Sequence, residues 1–337
     1  MNFLVIGGTI FVGRHFIEAA LARGHAVSLF HRGKHSPDLF PDVPRFLGDR
    51  TKEDDVANLV RQLAENGQHF DAIVDTCGYF PRAVRLTAER LVPFADAYCF
   101  ISSISVYADF AQASLDEAAP VGTLADETVE QVTGETYGPL KALCEQAVEA
   151  AFPGRTLNVR PGLIVGPHDP TDRFTYWPHR VAQGGRILAP ESPGVPTQFI
   201  DARDLAEWTV RMLERNKTGI YNATGPDYDL TLGDVLETCR AESGSDAEFV
   251  WAAAEVLKQH EVAPWSELPL WVPTEGDTAG LNRVSVAKAA ADGLTFRSLS
   301  QTVHDTLVWD RTRPQESSFR ATLAPEKEQA VLAAMSD

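Results

Sequence analysis

A chain of 337 residues with 44% apolar and 23% charged side chains has the composition of an ordinary globular protein; it suits one large α/β unit with a smaller lobe and is too short for three domains. The formal net charge of −17 repels nucleic acid and anionic membranes unless a basic patch intervenes, and none is visible. No apolar run approaches the roughly 18 residues that a membrane helix needs.

In chain order, β-rich runs and helix-like segments alternate. Phe3–Ile6 reads as a strand running into Gly7 and Gly8, with neither a basic start nor a cleavage site, so a cytoplasmic chain is expected. A helix follows at Val12–Ala22, a strand at Ala26–Phe30, a helix at Asp54–Asn66 and a strand at Ala72–Asp75. Then come a helix at Ala83–Leu91, a strand at Ala97–Ser102, a helix at Tyr137–Ala151 and a strand at Thr156–Val159. Such alternation predicts a doubly wound parallel sheet, a Rossmann fold, with ligands at the carboxyl ends of the strands. Residues 1–166 are expected to form this dinucleotide-binding domain. After Gly166 six prolines punctuate a loop-rich stretch. A smaller substrate lobe is expected over 167–310, interleaved with residual sheet elements at about 198–224. These are a helix at Ala202–Glu214 and a strand at Gly219–Ala223. The lobe itself reads as helices at Leu232–Ala241 and near Leu299–Trp309, around an irregular segment holding Trp251, Trp265 and Trp271. The tail, 311–337, carries a separate short helix, Pro325–Met335. Cys77, Cys99, Cys144 and Cys239 lack metal-ligand spacing, so reduced thiols and no metal site are expected.

The first strand and helix enclose Gly7-Gly8-Thr9-Ile10-Phe11-Val12-Gly13. Glycine at 7 permits a tight turn, Gly8 allows close backbone approach and Gly13 lets the helix pack closely. The helix N-terminus then offers N–H groups and partial positive charge to a pyrophosphate. Ile10 stands where the usual pattern has its middle glycine, which marks an atypical cradle. After the second strand, His31-Arg32-Gly33-Lys34 supplies cations where NAD sites place an acid, favouring NADP(H), with NAD(H) the alternative. Gly48-Asp49-Arg50 follows a further strand-like run, where an acid can accept from the adenine amino group.

Tyr137 and Lys141 stand at i and i+4 on one helix face. A free tyrosine titrates near pH 10; an adjacent ammonium and an oxidised nicotinamide would favour its phenolate and fit it for proton transfer. The strand ending in Phe100-Ile101-Ser102-Ser103-Ile104-Ser105-Val106-Tyr107 places serine hydroxyls at the same sheet edge.

With the glycine turn, the Ser-Ser-x-x-Val-Tyr strand end and the Tyr-x-x-x-Lys helix, residues 1–310 resemble the short-chain dehydrogenase/reductase superfamily. The closer likeness is to its extended branch, the NAD-dependent epimerase/dehydratase family, through Arg160-Pro161-Gly162, Gly166-Pro167 and Phe199-Ile200-Asp201-Ala202-Arg203-Asp204-Leu205-Ala206. Gly-Gly-Thr-x-Phe-Val-Gly-Arg is also similar to an atypical subgroup that includes chloroplast stem-loop RNA-binding proteins. The resemblance implies Tyr137 as general acid/base, Lys141 on the nicotinamide ribose and Ser103, four residues before Tyr107, on the reacting oxygen. It implies that Thr76-Cys77-Gly78 and Arg160-Pro161-Gly162-Leu163 flank the nicotinamide, and that the protein is a monomer or a homodimer.

The sugar-nucleotide 4,6-dehydratases resemble one another in a Thr-Asp-Glu, where this chain has Ser103-Ile104-Ser105. Nucleotide-sugar epimerases tend to carry a diphosphate-binding arginine where it has Pro196-Thr197-Gln198, although Arg180 or Arg186 could substitute. Phe174, Tyr176 and Arg180, with Ser103 and Ser105, are expected to line a pocket for a small-molecule substrate. Three readings follow: an NADP(H)-dependent oxidoreductase for a ketone or secondary alcohol, an epimerase with tightly held NAD(P), and a binding protein for RNA or a protein partner. The acidic charge and intact Ser103, Tyr137 and Lys141 disfavour the last.

Overall fold

The alternating runs fold as a layered α/β structure. The computed structural model describes residues 1–314 and 319–335. In order they form β1 (Asn2–Ile6), α1 (Phe11–Ala22), β2 (Ala26–His31), β3 (Arg45–Leu47), α2 (Glu53–Glu65), β4 (Phe70–Asp75), α3 (Pro81–Leu91), β5 (Ala95–Ile101), α4 (Tyr137–Ala151) and β6 (Thr156–Pro161). Then follow β7 (Leu163–Val165), α5 (Tyr176–Ala182), β8 (Arg186–Pro190), β9 (Phe199–Asp201), α6 (Ala202–Glu214) and β10 (Gly219–Ala223). The remainder is α7 (Leu232–Ser243), β11 (Glu248–Ala252), α8 (Ala254–Gln259), α9 (Ala287–Ala291), α10 (Leu299–Asp310) and α11 (Pro325–Ala334).

Seven strands make one parallel sheet in the order β10-β6-β5-β4-β1-β2-β3. Its central strands are apolar on both faces, as a sheet covered on both sides requires. One face buries Phe3, Phe16, Ile17 and Trp208 beneath α1 and α6. The other buries Ile6, Phe70, Tyr98 and Phe152 beneath α2, α3 and α4. The strand order reverses between β1 and β4, which opens a ligand crevice at their carboxyl ends.

The stretch after Gly166 holds more regular structure than its prolines suggest. β8 pairs with β11 and β7 with β9, both in parallel, and α5 lies between β7 and β8. These strands are only three to five residues long. The partner of β8 lies beyond α7, so no local pattern marks either strand. The lobe core gathers Phe174, Trp177, Leu236 and Trp271 with Val331 and Leu332 of α11. Trp251 and Trp265 pack partly buried against it. The last helix is therefore docked into the lobe. Glu328 accepts from Arg180 Nε at 2.8 Å and from the Leu188 N–H at 3.1 Å. Among the described residues no helix is long and apolar enough to cross a membrane.

Candidate active site

The chain leaves β1 through Gly7 and Gly8, whose φ values of 98° and 95° are open to glycine and costly for other residues. A Cβ on Gly13 would lie 2.5 Å from Gly8 Cα, so α1 rests directly on the turn. Ile10 has extended backbone, φ −128° and ψ 140°, and its side chain is exposed. Any residue adopts that conformation, which explains why glycine is dispensable there. Thr9 and Phe11 are buried, while Val12 packs partly buried against the sheet core. No side chain caps α1 and no acid lies in its first turn, leaving an uncompensated positive helix end at the crevice. The Thr76 hydroxyl donates to Ile6 O at 3.0 Å and holds the loop after β4 beside the turn. A Cβ on Gly7 would lie 2.7 Å from that hydroxyl oxygen and 3.2 Å from Cys77 Sγ. This cradle fits a pyrophosphate.

At the end of β2, His31 is buried and its Nδ1 accepts from the Gly33 N–H at 2.9 Å. Burial, with the charge of Arg45 adding, pushes its pKa down. Arg32 is exposed, and its charge reaches Asp49. Asp49 Oδ1 accepts from the Thr51 N–H and hydroxyl at 3.0 and 2.8 Å; these bonds hold the carboxyl below its usual range, against partial burial.

Arg50 does not join them. It is buried, with Nη1 on Asp75 Oδ1 at 2.5 Å and Nη2 on Thr87 Oγ1 at 2.7 Å. Asp75 is fully buried at the end of β4 and also accepts from Tyr98 Oη at 2.9 Å. A buried carboxylate needs a counter-charge, and that need draws Arg50 inward.

Ser103 follows β5. Its Oγ accepts from the Ser105 N–H and donates to Ser105 Oγ, both at 3.0 Å. A Cβ on Gly138 would lie 1.9 Å from Ser105 O. Glycine there lets the first turn of α4 touch the serine turn, which sets Tyr137 beside Ser103. Burial pushes the Tyr137 pKa up, against smaller downward pulls from the Ser103 hydroxyl and the charge of Arg173. The expected lowering by Lys141 is absent. Lys141 is buried, and its Nζ donates to Gly78 O at 2.9 Å and Ile101 O at 2.7 Å. It lies 4.5 Å from the Phe100 ring centroid and 5.3 Å from that of Tyr79. Two of its three donors serve those carbonyls and one is left over; burial pulls its pKa down.

Several further expected site residues make protein contacts. Arg160 makes a buried bidentate pair with Glu145, at 2.9 and 2.7 Å, that ties β6 to α4. Pro161 ends β6, and Leu163 is buried. At Gly162 a Cβ would lie 2.3 Å from Thr224 Oγ1, so that glycine closes the chain against the segment after β10. Phe174 is fully buried against Phe199, and Tyr176 packs on Trp177. Arg180 is held by Glu328, Gly184 O and Arg186 O. Phe174 and Tyr176 build the lobe core and Arg180 anchors α11, while Tyr176 and Arg180 also line a cavity away from Ser103. That cavity, of about 630 Å³ between α5 and α11, is lined by none of Ser103, Tyr137 and Lys141. Gln198 exchanges two hydrogen bonds with the Val284 backbone, at 2.9 and 3.1 Å. Sequence reasoning gave no role to Gly138, Asp75 or Tyr79, and reached Arg173 only as part of the 172–180 run read as a pocket wall. The available signal for Arg173 was a lone cation between Asp172 and a run of aromatics.

Residues 3–224 match the NAD dependent epimerase/dehydratase family. A curated relative, chloroplast stem-loop binding protein of 41 kDa b from Arabidopsis thaliana, is 26% identical over 268 residues, which cover 72% of this chain and 63% of the relative. The chain thus spans less than two thirds of that relative's length. Among solved structures, the Bordetella bronchiseptica enzyme WbmH in complex with NAD+ aligns with a TM-score of 0.68 at 15% identity, over 92% of this chain and 98% of that one. The UDP-glucose 4-epimerase of Thermus thermophilus, in complex with NAD, aligns with a TM-score of 0.63 at 18% identity, over 93% and 100%.

Proposed function

The chain belongs to the NAD dependent epimerase/dehydratase family, and we propose that it is a nicotinamide-dependent oxidoreductase that interconverts a ketone and a secondary alcohol. The observation that carries this reading is the convergence of Ser103, Tyr137 and Lys141 beside the glycine turn. A bound nicotinamide would supply hydride exchange at the substrate carbon. This chain's own groups do the rest. With its pKa raised, Tyr137 rests protonated and is set to give its proton to a ketone oxygen, or to take it back from the alcohol. Ser103 Oγ can turn from Ser105 to the same oxygen. The remaining Lys141 donor suits a ribose hydroxyl. The end of α1 would take the pyrophosphate, and Thr76-Cys77-Gly78 would border the nicotinamide.

Exposed Arg32, with no acid at the end of β2, favours a 2′-phosphate and hence NADP(H); NAD(H) is the alternative. Arg32→Asp is expected to weaken NADPH binding more than NADH binding in a fluorescence titration. Equal losses would remove the preference.

The solved enzymes in complex with NAD support a second reading, an NAD(P)-dependent epimerase, in which Tyr137 takes and returns the proton within one cycle. Turnover with free cofactor separates the two: an oxidoreductase changes one cofactor per substrate, whereas an epimerase isomerises with no net change. The stem-loop binding relative raises RNA binding as a third reading, against a net charge of −17. RNA affinity that falls steeply with salt would favour it.

A further inference from the structure

The loop after β7, residues 166–175, carries Arg173 in a setting unlike that of the arginines around it. Arg203 pairs with Asp201 and Asp305, Arg297 with Asp201 and Glu207, and Arg313 with Asp172. Among the described residues Arg173 pairs with no carboxylate. Its Nε donates to Thr171 Oγ1 at 3.0 Å, and that hydroxyl donates to Asp169 Oδ1 at 2.6 Å. Asp169 is buried and fixed again by the Thr171 N–H at 2.8 Å. The guanidinium lies 5.6 Å from the Trp265 ring centroid. A relay through Thr171 and an aromatic platform therefore orient the half-buried guanidinium by one nitrogen. Both terminal nitrogens have no partner among the described residues. Those nitrogens present the parallel pair of donors that a carboxylate or phosphate accepts.

Two hydroxyls mark where this charge lies. Arg173 acts electrostatically on both Tyr137 and Tyr79, and also on the buried carboxyl of Asp169. In a chain of net charge −17 an anionic substrate meets general repulsion, so a local cation with open donors, whose charge reaches the reacting tyrosine, has a selective effect that a surface arginine lacks.

We propose that Arg173 is the substrate's anion anchor, and that the site takes a compact secondary alcohol or ketone bearing a carboxylate or phosphate near the reacting carbon. This rests on the reading of Ser103 and Tyr137 as the reacting edge. Arg173 is then a specificity-determining residue, and Thr171 positions it.

Calorimetric titration of the full chain with NADPH present tests this with three secondary alcohols: 3-hydroxybutanoate, the 1-phosphate of propane-1,2-diol, and uncharged butane-1,3-diol. Binding of at least one anion roughly 30-fold tighter than the diol is expected, with Arg173→Gln removing the difference and Arg173→Lys keeping part of it. The better of the two anions identifies the oxyanion. Equal binding of diol and anions by the wild type, no binding of either anion, or full anion binding by Arg173→Gln would overturn the anchor. The wild-type comparison needs no variant to fold. The reading beneath it fails separately: anion binding that depends on Arg173 without any nicotinamide-linked turnover would support the anchor and reject the oxidoreductase. Nicotinamide-linked turnover of the anionic alcohols that is unchanged in Arg173→Gln would do the reverse.

Discussion

The serine–tyrosine edge and the α5 segment are built from similar side chains, and they end in opposite states. At the edge, Tyr137 and Ser103 are brought together by backbone contact: Gly138 lets α4 touch the Ser105 carbonyl, so no side chain is needed as glue. In α5, Tyr176 and Arg180 are themselves the glue. Tyr176 fills the lobe core, and Arg180 takes Glu328 together with two carbonyls. A polar side chain remains available for chemistry when something else has already satisfied the packing around it. Between the two regions lies Arg173, held by one nitrogen and otherwise open.

Three substitutions and one control press on this contrast, in falling order of their effect on turnover. Tyr137→Phe is expected to lower kcat by roughly 10²–10⁴-fold while NADPH binding, read by fluorescence titration, stays at the wild-type level. A variant that keeps its rate would show that the edge is no more reactive than α5. Gly138→Ala puts a methyl group 1.9 Å from Ser105 O. It should cost about 2 kcal/mol of stability and at least about tenfold in kcat, because Tyr137 must retreat from Ser103. Gly134→Ala, in open space, should change neither quantity, and parity between the two variants would refute backbone contact as the positioning device. Arg180→Met should leave the kcat of folded protein unchanged and remove about 3 kcal/mol in urea unfolding, since it strands the buried Glu328 carboxylate. A loss of kcat without loss of stability would return Arg180 to the substrate.

Legibility followed the range of the cause. The glycine turn could be read because its determinants are local: Gly7 and Gly8 take positive φ, and Gly13 packs back on Gly8 within a few residues. Tyr137 and Lys141 were found through helical spacing, which is equally local. Arg50, Arg160 and Arg180 were read as ligand contacts, yet each is tied to a carboxylate on another element: Asp75, Glu145 and Glu328. Nothing beside them in the chain announces those pairings. The parallel pairing of β8 with β11 escaped notice for the same reason.

By itself, then, the sequence determined the doubly wound sheet, the glycine turn that opens α1 and the spacing of tyrosine and lysine. Backbone conformation and side-chain periodicity act over a turn or two and leave their mark in adjacent residues. Only the tertiary structure decided which charges are free. Whether an arginine meets a substrate or a buried carboxylate depends on what the fold brings alongside it, and an unpaired buried charge is too costly to be left to local sequence.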